Sequence, residues 1–320
     1  FQPAIRADRD HSGHIEIERL VELANAALRQ KTLLRTHLGT TDKQALEAMQ
    51  EILRVGTSAG GARAKAVVAW NRETDEIRSG QVSAEAGFEY WLIKFDGVDG
   101  NRDKELNDPQ GYGRLEYAYY LMATAAGIEM MPSKLRHENG RSHFMTQRFD
   151  RTADGGKVMM QSLCALAHFD FHQAGAFSYE QALQVAQRLQ LSSSDLVELF
   201  RRMVFNVLAR NQDDHTKNIA FLMDRLGQWR LAPAFDVTYS YNPQGDWTSR
   251  HQMTVNGRRD AFDAEDLLSV AKSFRPIGVK RGKDVISQVR RVLSKWMDFA
   301  KEAGVSDSWS KKVAAEHRQL

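Results

Sequence analysis

The order of the elements predicts an α+β chain in two lobes, a small mixed α/β lobe over residues 1–160 and a mainly helical large lobe over 161–320, with a cleft between them. Three observations predict it. Short runs rich in β-branched and aromatic residues cluster before residue 161 around a single helix. Helical periods dominate afterwards, interrupted by one small hairpin. The length of 320 residues is enough for two lobes, each with its own core.

From Glu16 to Arg54 the chain reads as helices: Ile17, Leu20, Val21, Ala24 and Leu28 keep the 3.6-residue period, and Thr41 opens a second with Leu46, Met49 and Ile52. The texture then changes to the small residues of "VGTSAGGARAK" (55–65), and "AVVAW" (66–70) reads as a strand directly after it. A polar connection leads to a second strand, "YWLIKF" (90–95). "GRLEYAYYLMATAAGI" (113–128) is a helix ending at a Gly127 cap, since glycine takes the left-handed conformation at little cost. Further strands are "HFMTQRF" (143–149) and "KVMMQ" (157–161). A helix over 195–209 aligns Leu196, Phe200, Met203 and Val207, with Asp195 and Glu198 as its capping box. "IAFLM" (219–223) and "WRLAP" (229–233) form the hairpin, and helices return from Asp263.

Hydrophobic residues at 42% and charged residues at 27% are ordinary for a soluble globular enzyme. A net charge of +3 is too small to argue for direct nucleic-acid binding. The one cysteine, Cys164, excludes an intramolecular disulfide and fits a reducing cytoplasm; it reads as a small core residue. No apolar run approaches the roughly 20 residues of a membrane span. The chain begins at Phe1 without a signal-peptide pattern, so the expectation is that an N-terminal piece has been removed or is encoded elsewhere.

Four stretches carry chemistry. In "NQDDHTKN" (211–218), Asp213 and Asn218 have the spacing at which phosphotransferases place a proton-accepting Asp and a magnesium-holding Asn. Taken alone the pair is also compatible with a solvated loop. Asp236, in "LAPAFDV" just past the hairpin, adds a second acid at a strand end, and its apolar neighbours put a bare carboxylate at a core edge, where a metal would compensate it. Phe-Asp-Val lacks the glycine of the usual kinase triplet. Lys94 lies between apolar residues of a strand, where it either pairs with phosphates and the carboxylate of Glu116, in the first turn of the next helix, or faces solvent from an edge strand. The glycine-rich "GTSAGGARAK" offers unobstructed backbone N–H groups with Arg63 and Lys65, a phosphate cradle that is not a Walker loop. "HFDFH" offers His168, Asp170 and His172 as a competing metal site without an obvious fourth ligand; the other reading is a partly buried structural segment.

Together, "GTSAGGARAK", "WLIKFDG", "YGRLEYAYYLMATAAGI", "HFMTQRFDR", "QDDHTKN" and "WRLAPAFDV" resemble, in order and spacing from about residue 55 to 260, the HipA family of serine/threonine kinase toxins. The resemblance implies a two-lobed, phosphatidylinositol-kinase-like fold that phosphorylates protein serines with ATP and magnesium. It implies a protein substrate such as an aminoacyl-tRNA synthetase. The implied partner is a HipB-type helix-turn-helix antitoxin, through which DNA is reached indirectly. By position it makes Asp213 the catalytic acid, Asn218 and Asp236 the magnesium ligands, and Lys94 the phosphate-contacting lysine paired to Glu116. It also places Ser58, Gly60, Gly61, Ala62, Arg63, Lys65 and His215 near the nucleotide, with Gln147 and Phe149 bordering the adenine. The family more often has Glu at Gln147, whose amide oxygen also accepts a hydrogen bond. Ser58 aligns with a serine that some members autophosphorylate to inactivate themselves. Full-length members carry a β-rich N-terminal subdomain, which here is either trimmed or a separate chain.

Two other readings stand beside the kinase. A catalytically inactive module of this fold would bind nucleotide or antitoxin, and intact Asp213, Asn218, Asp236 and Lys94 argue against it. A metal-dependent hydrolase built on the Asp and His residues would leave Lys94 and the glycine-rich stretch unexplained.

Overall fold

The computed structural model describes residues 63–80, 86–97, 111–152 and 154–320. The helices expected over Glu16–Arg54, and Ser58, Gly60, Gly61 and Ala62 of the glycine-rich stretch, lie outside the described residues. The chain divides into two compact units, one of Phe1–Tyr117 and Pro132–Lys157, the other of Ala118–Met131 and Val158–Leu320.

The first unit is an antiparallel five-stranded sheet: β1 (Lys65–Asn71), β2 (Ile77–Ser79), β3 (Phe88–Lys94), β4 (Ser133–Glu138) and β5 (Arg141–Gln147), in the order β2-β1-β3-β5-β4. The continuous apolar run of β1 is buried along nearly its whole length, as expected of a strand covered on both faces. β3 is the central strand, paired with β1 and β5. β2 and β4 were not legible as strands. β2 is three residues long, and β4, "SKLRHE", is an edge strand whose polar residues suit an edge.

Helix α1 (Tyr112–Ala125) crosses the division between the units at Tyr117 and Ala118. Its start is held by Asp96, whose Oδ1 accepts from the N–H groups of Gly111 (2.9 Å) and Gly113 (3.4 Å). Gly113 is required there, because a Cβ would fall 1.9 Å from the carbonyl oxygen of Ser142. The Asp96 N–H in turn donates to Nδ1 of buried His143 (3.0 Å). Burial pushes that imidazole down to about 4, so it is neutral at pH 7.

Gly127 ends α1 as expected. It has φ +84°, its N–H donates to Thr124 O, and Ile128 N–H reaches back to Ala123 O, the paired bonds of a Schellman cap.

The second unit contains β6 (Met159–Ser162), α2 (Leu163–Ala167), α3 (Tyr179–Arg188), α4 (Ser193–Leu208), β7 (Ala220–Met223) and β8 (Trp229–Leu231). After them come α5 (Ala264–Ser273), α6 (Gly278–Leu293), α7 (Trp296–Glu302) and α8 (Asp307–Glu316). The strands form one antiparallel sheet, β6-β7-β8.

Helix α4 buries Leu196, Phe200, Met203 and Val207 as its period predicts, and Leu199, Val204, Phe205 and Leu208 besides. Its capping box is Ser192 with Asp195, one turn before the expected pair. Glu198 instead accepts from Glu129 N–H (3.0 Å) and pairs with Arg202 (2.9 Å). Among the described residues, no helix is long and apolar enough to cross a membrane.

Candidate active site

In the first unit the charged side chains gather at the end of the central strand. Lys94 is 8% exposed, and its Nζ donates to Glu116 Oε1 at 2.5 Å. Glu116 is 2% exposed and lies just past the first turn of α1, because that helix already begins at Tyr112. The edge-strand alternative for Lys94 fails because β3 has a partner strand on each side. Arg63 approaches the other oxygen of Glu116 (3.5 Å) and lies over the Tyr112 ring, 4.1 Å from its centroid.

The β1–β3 register sets Lys65, buried, directly opposite Lys94. Like charges opposite one another destabilise a sheet unless an anion stands near them. Glu116 is one such anion, and the oxygens of a polyphosphate are chemically suited to be another. Gln147 ends β5, pairing with Trp91 across to β3, and Phe149 is half-buried in the turn that follows. That turn is fixed by Asp150, which Arg148 engages twice (2.8 and 2.6 Å).

The acidic cluster in the second unit is held differently. After α4 the chain turns through Arg210 at φ +57°, and a single 3-10 turn, Thr216–Asn218, precedes β7. Successive residues of this loop alternate in burial. Gln212 is 0% exposed and Asp214 3%, whereas the Asp213 side chain between them is 40% exposed.

Trp247, His215 and Asn218 are among the neighbours that hold Asp213. Trp247 Nε1–H donates to its Oδ1 (2.6 Å), His215 Nε2 lies 3.6 Å from the same oxygen, and Asn218 Nδ2 donates to its backbone carbonyl (2.9 Å). An amide whose N–H₂ is so engaged keeps its oxygen as a further acceptor.

Asp236 follows β8 at φ +53°, a conformation that costs a non-glycine residue energy and that Asp tolerates better than most. Asn218, Asp236, Asp214 and His215 line one recess, with Leu199, Ile219 and Val237 among its apolar walls.

Asp214, next to the predicted catalytic residue, turns into the core. It accepts from Tyr179 Oη–H (2.9 Å), His251 Nδ1 (2.8 Å) and Gln252 N–H (2.8 Å). Burial pushes its carboxyl up, but His251 and these hydrogen bonds outweigh that and hold it below the usual range. Burial, with the nearby Asp214 charge, raises Tyr179 well above the ordinary phenol, which keeps its hydroxyl a donor.

The donors fit magnesium chemically. Asp236 offers a carboxylate and Asn218 an amide oxygen, the hard donors that this ion takes one or two at a time beside water and phosphate. Among the described residues no three His, Cys, Asp or Glu side chains form a metal cage. The segment His168–His172 is a partly buried turn, as the structural reading expects: Phe169 and Phe171 are half-buried, Phe169 stacking on Phe177 and its carbonyl accepting from Thr216 Oγ1. His168, Asp170 and His172 are exposed, and Asp170 accepts from the backbone and Nδ1 of His172.

Sequence reasoning missed Trp247, Tyr179 and His251, which reach the loop from 34 to 37 residues away and carry no motif. The doubled Asp of "QDDH" was the one visible signal that a buried anchor stands beside an exposed acid.

The sequence profile of the HipA-like C-terminal domain matches residues 57–297, three quarters of the chain. The chain belongs to this family. Two Sinorhizobium fredii proteins, "Putative kinase Y4mE" and "Putative kinase Y4dM", are 26% identical over 125 residues and 27% over 127. The matches cover 36% and 39% of this chain and 30% and 31% of theirs, so this HipA-like chain spans about a third of the length of these curated relatives. Its fold is also that of the Shewanella oneidensis HipA solved with HipB and operator DNA. The TM-score is 0.58 at 17% identity, over 80% of this chain and 61% of that one.

Proposed function

We propose that this HipA-like chain is an ATP- and magnesium-dependent serine/threonine protein kinase. The observation that carries the reading is the second unit's loop, where Asn218 fixes the Asp213 backbone and shares one recess with Asp236. Asp213, half-exposed and oriented by Trp247, accepts the proton of a protein hydroxyl and aims its oxygen. Asn218 and Asp236 hold the magnesium ion, which when bound neutralises charge developing on the phosphate oxygens. Lys94, held in place by Glu116, contacts the phosphates, with Arg63 and Lys65 beside it. Gln147 and Phe149 border the adenine, and His215 lies by the nucleotide. Kinase names among the relatives support the same reading.

The finer fold, a two-lobed kinase of phosphatidylinositol-kinase type, is part of this proposal. So is a role as the toxin of a toxin–antitoxin pair in the cytoplasm, with a HipB-like antitoxin as partner and DNA reached through it. The likeness to a HipA solved with HipB and DNA supports that role. An aminoacyl-tRNA synthetase is the proposed class of substrate, and Ser58 the proposed autophosphorylation site. The test is incubation with γ-labelled ATP, magnesium and a cell lysate. Label should appear on serine or threonine of a discrete protein; no magnesium-dependent label on any protein overturns the reading.

A further inference from the structure

The last residues of the chain return to the loop that carries Asp213. Arg318 lies beyond the residues matched by the family profile, and its side chain is 7% exposed. Its backbone N–H donates to Leu208 O (2.9 Å). Nη1 donates to Val207 O (2.7 Å) and meets His251 Nε2 (2.8 Å). Nη2 donates to Gln212 Oε1 (2.9 Å) and Asp260 Oδ1 (2.5 Å).

These contacts fix a proton. A guanidinium has donors only, so Nε2 of His251 must accept. The imidazole hydrogen then sits on Nδ1 and donates to Asp214 Oδ2, 2.8 Å away. The opposite tautomer would set two N–H groups head to head and turn a lone pair toward the Asp214 carboxylate.

Arg318 therefore grips the loop on both sides of Asp213. It holds Gln212 directly, and it holds Asp214 through His251, whose Nε2 accepts from Arg318 while its Nδ1–H donates to Asp214. Gln212 is further tied through Arg210 (3.0 Å) and Thr248 O (2.9 Å), so the two residues flanking Asp213 are fixed while Asp213 itself faces outward.

We propose that Arg318 is a positioning residue for Asp213, acting through Gln212 and a His251–Asp214 relay. The kinetic part rests on the reading of Asp213 as the proton acceptor; the structural part does not. Nitrogen-15 NMR of the wild-type imidazoles should find His251 as the Nδ1–H tautomer, and the Nε2–H tautomer overturns the proposal whatever the protein catalyses. In Arg318→Met, hydrogen exchange at the amides of residues 212–215 should accelerate by about tenfold. The kcat for phosphoryl transfer should fall by about tenfold to a hundredfold, because small misplacements of a reacting group are costly. The KM for magnesium-ATP should stay within about twofold. Arg318→Lys, which keeps a donor toward His251, should recover most of both losses. Unchanged exchange in the Met variant, or an equal loss in the Lys variant, overturns the proposal. If Arg318→Met fails to fold, the wild-type tautomer and the Lys variant decide. If the wild type transfers no phosphate, the kinase reading fails, and tautomer and exchange still decide the tie.

Discussion

Lys94 and Asp213 belong to different units and are held by opposite means. Lys94 is buried, and its countercharge, Glu116, is buried with it 22 residues further on. Asp213 is half-exposed, oriented by an indole and an imidazole, and its loop is tied down by residues from 28 to 106 positions away along the chain. The first arrangement is a closed ion pair that the fold itself requires. The second is a half-exposed carboxylate on a loop tied to distant segments, next to residues that line a recess with Asp236, whose backbone conformation is costly. The contrast teaches which residues serve stability and which serve chemistry. Damage to the pair should harm both, and damage to the recess should harm function alone.

The largest effect expected is on chemistry at Asp213. Asp213→Ala should lower phosphoryl transfer by about 10³-fold, the scale of a lost general base, with the thermal midpoint unchanged. Label-transfer kinetics beside a melting curve check both halves. Activity near wild type would remove Asp213 from the mechanism.

Next comes stability. Lys94→Met leaves the Glu116 carboxylate buried without its shortest partner and should cost about 3 kcal/mol. Asp236→Asn, beside an open recess, should cost less than about 1 kcal/mol. Denaturant unfolding of the two variants compares them, and equal losses would erase the distinction.

A smaller effect is acid sensitivity, of which each unit carries a source. Burial holds His143 in the first unit and His317 in the second down to about 4. The unfolded chain takes up these protons near pH 6.5, so their stability is full above that pH and is lost as pH falls toward 4. The ceiling is about 3 kcal/mol for each. Asp214, held low, adds stability that is lost only as pH falls through its depressed value below 3.8. His143→Asn, which keeps an acceptor for the Asp96 N–H, should flatten the pH 4–6.5 dependence of the first unit's unfolding and leave the second's unchanged.

The contrast also explains what could be read in advance. Lys94, Asp213, Asn218 and Asp236 were legible because each stands in a short local pattern: a charge inside an apolar strand, or fixed spacing after a helix or hairpin; Glu116 followed only as the carboxylate of the next helix. Strands β1, β3 and β5 and helix α4 were legible by periodicity. Edge strand β4 was not, since its polar run has no apolar alternation to betray it. Nor was the Asp214, His251, Tyr179 and Arg318 network, because its partners meet only when distant segments fold together. The capping box of α4 was misplaced for a simpler reason: Asp195 and Glu198 fit the pattern as well as Ser192 and Asp195 do, and only the position of the first turn separates them.

The most direct test of the recess as a magnesium–nucleotide site is calorimetric titration of ATP into the wild-type chain and Asp236→Asn, each with and without magnesium. The wild type should bind ATP at least about tenfold more tightly with magnesium. In Asp236→Asn that gain should vanish while metal-free binding is unchanged, because a neutral amide cannot supply the charge a divalent ion needs. A magnesium gain of equal size in both proteins would contradict the account and make Asp236 a structural residue.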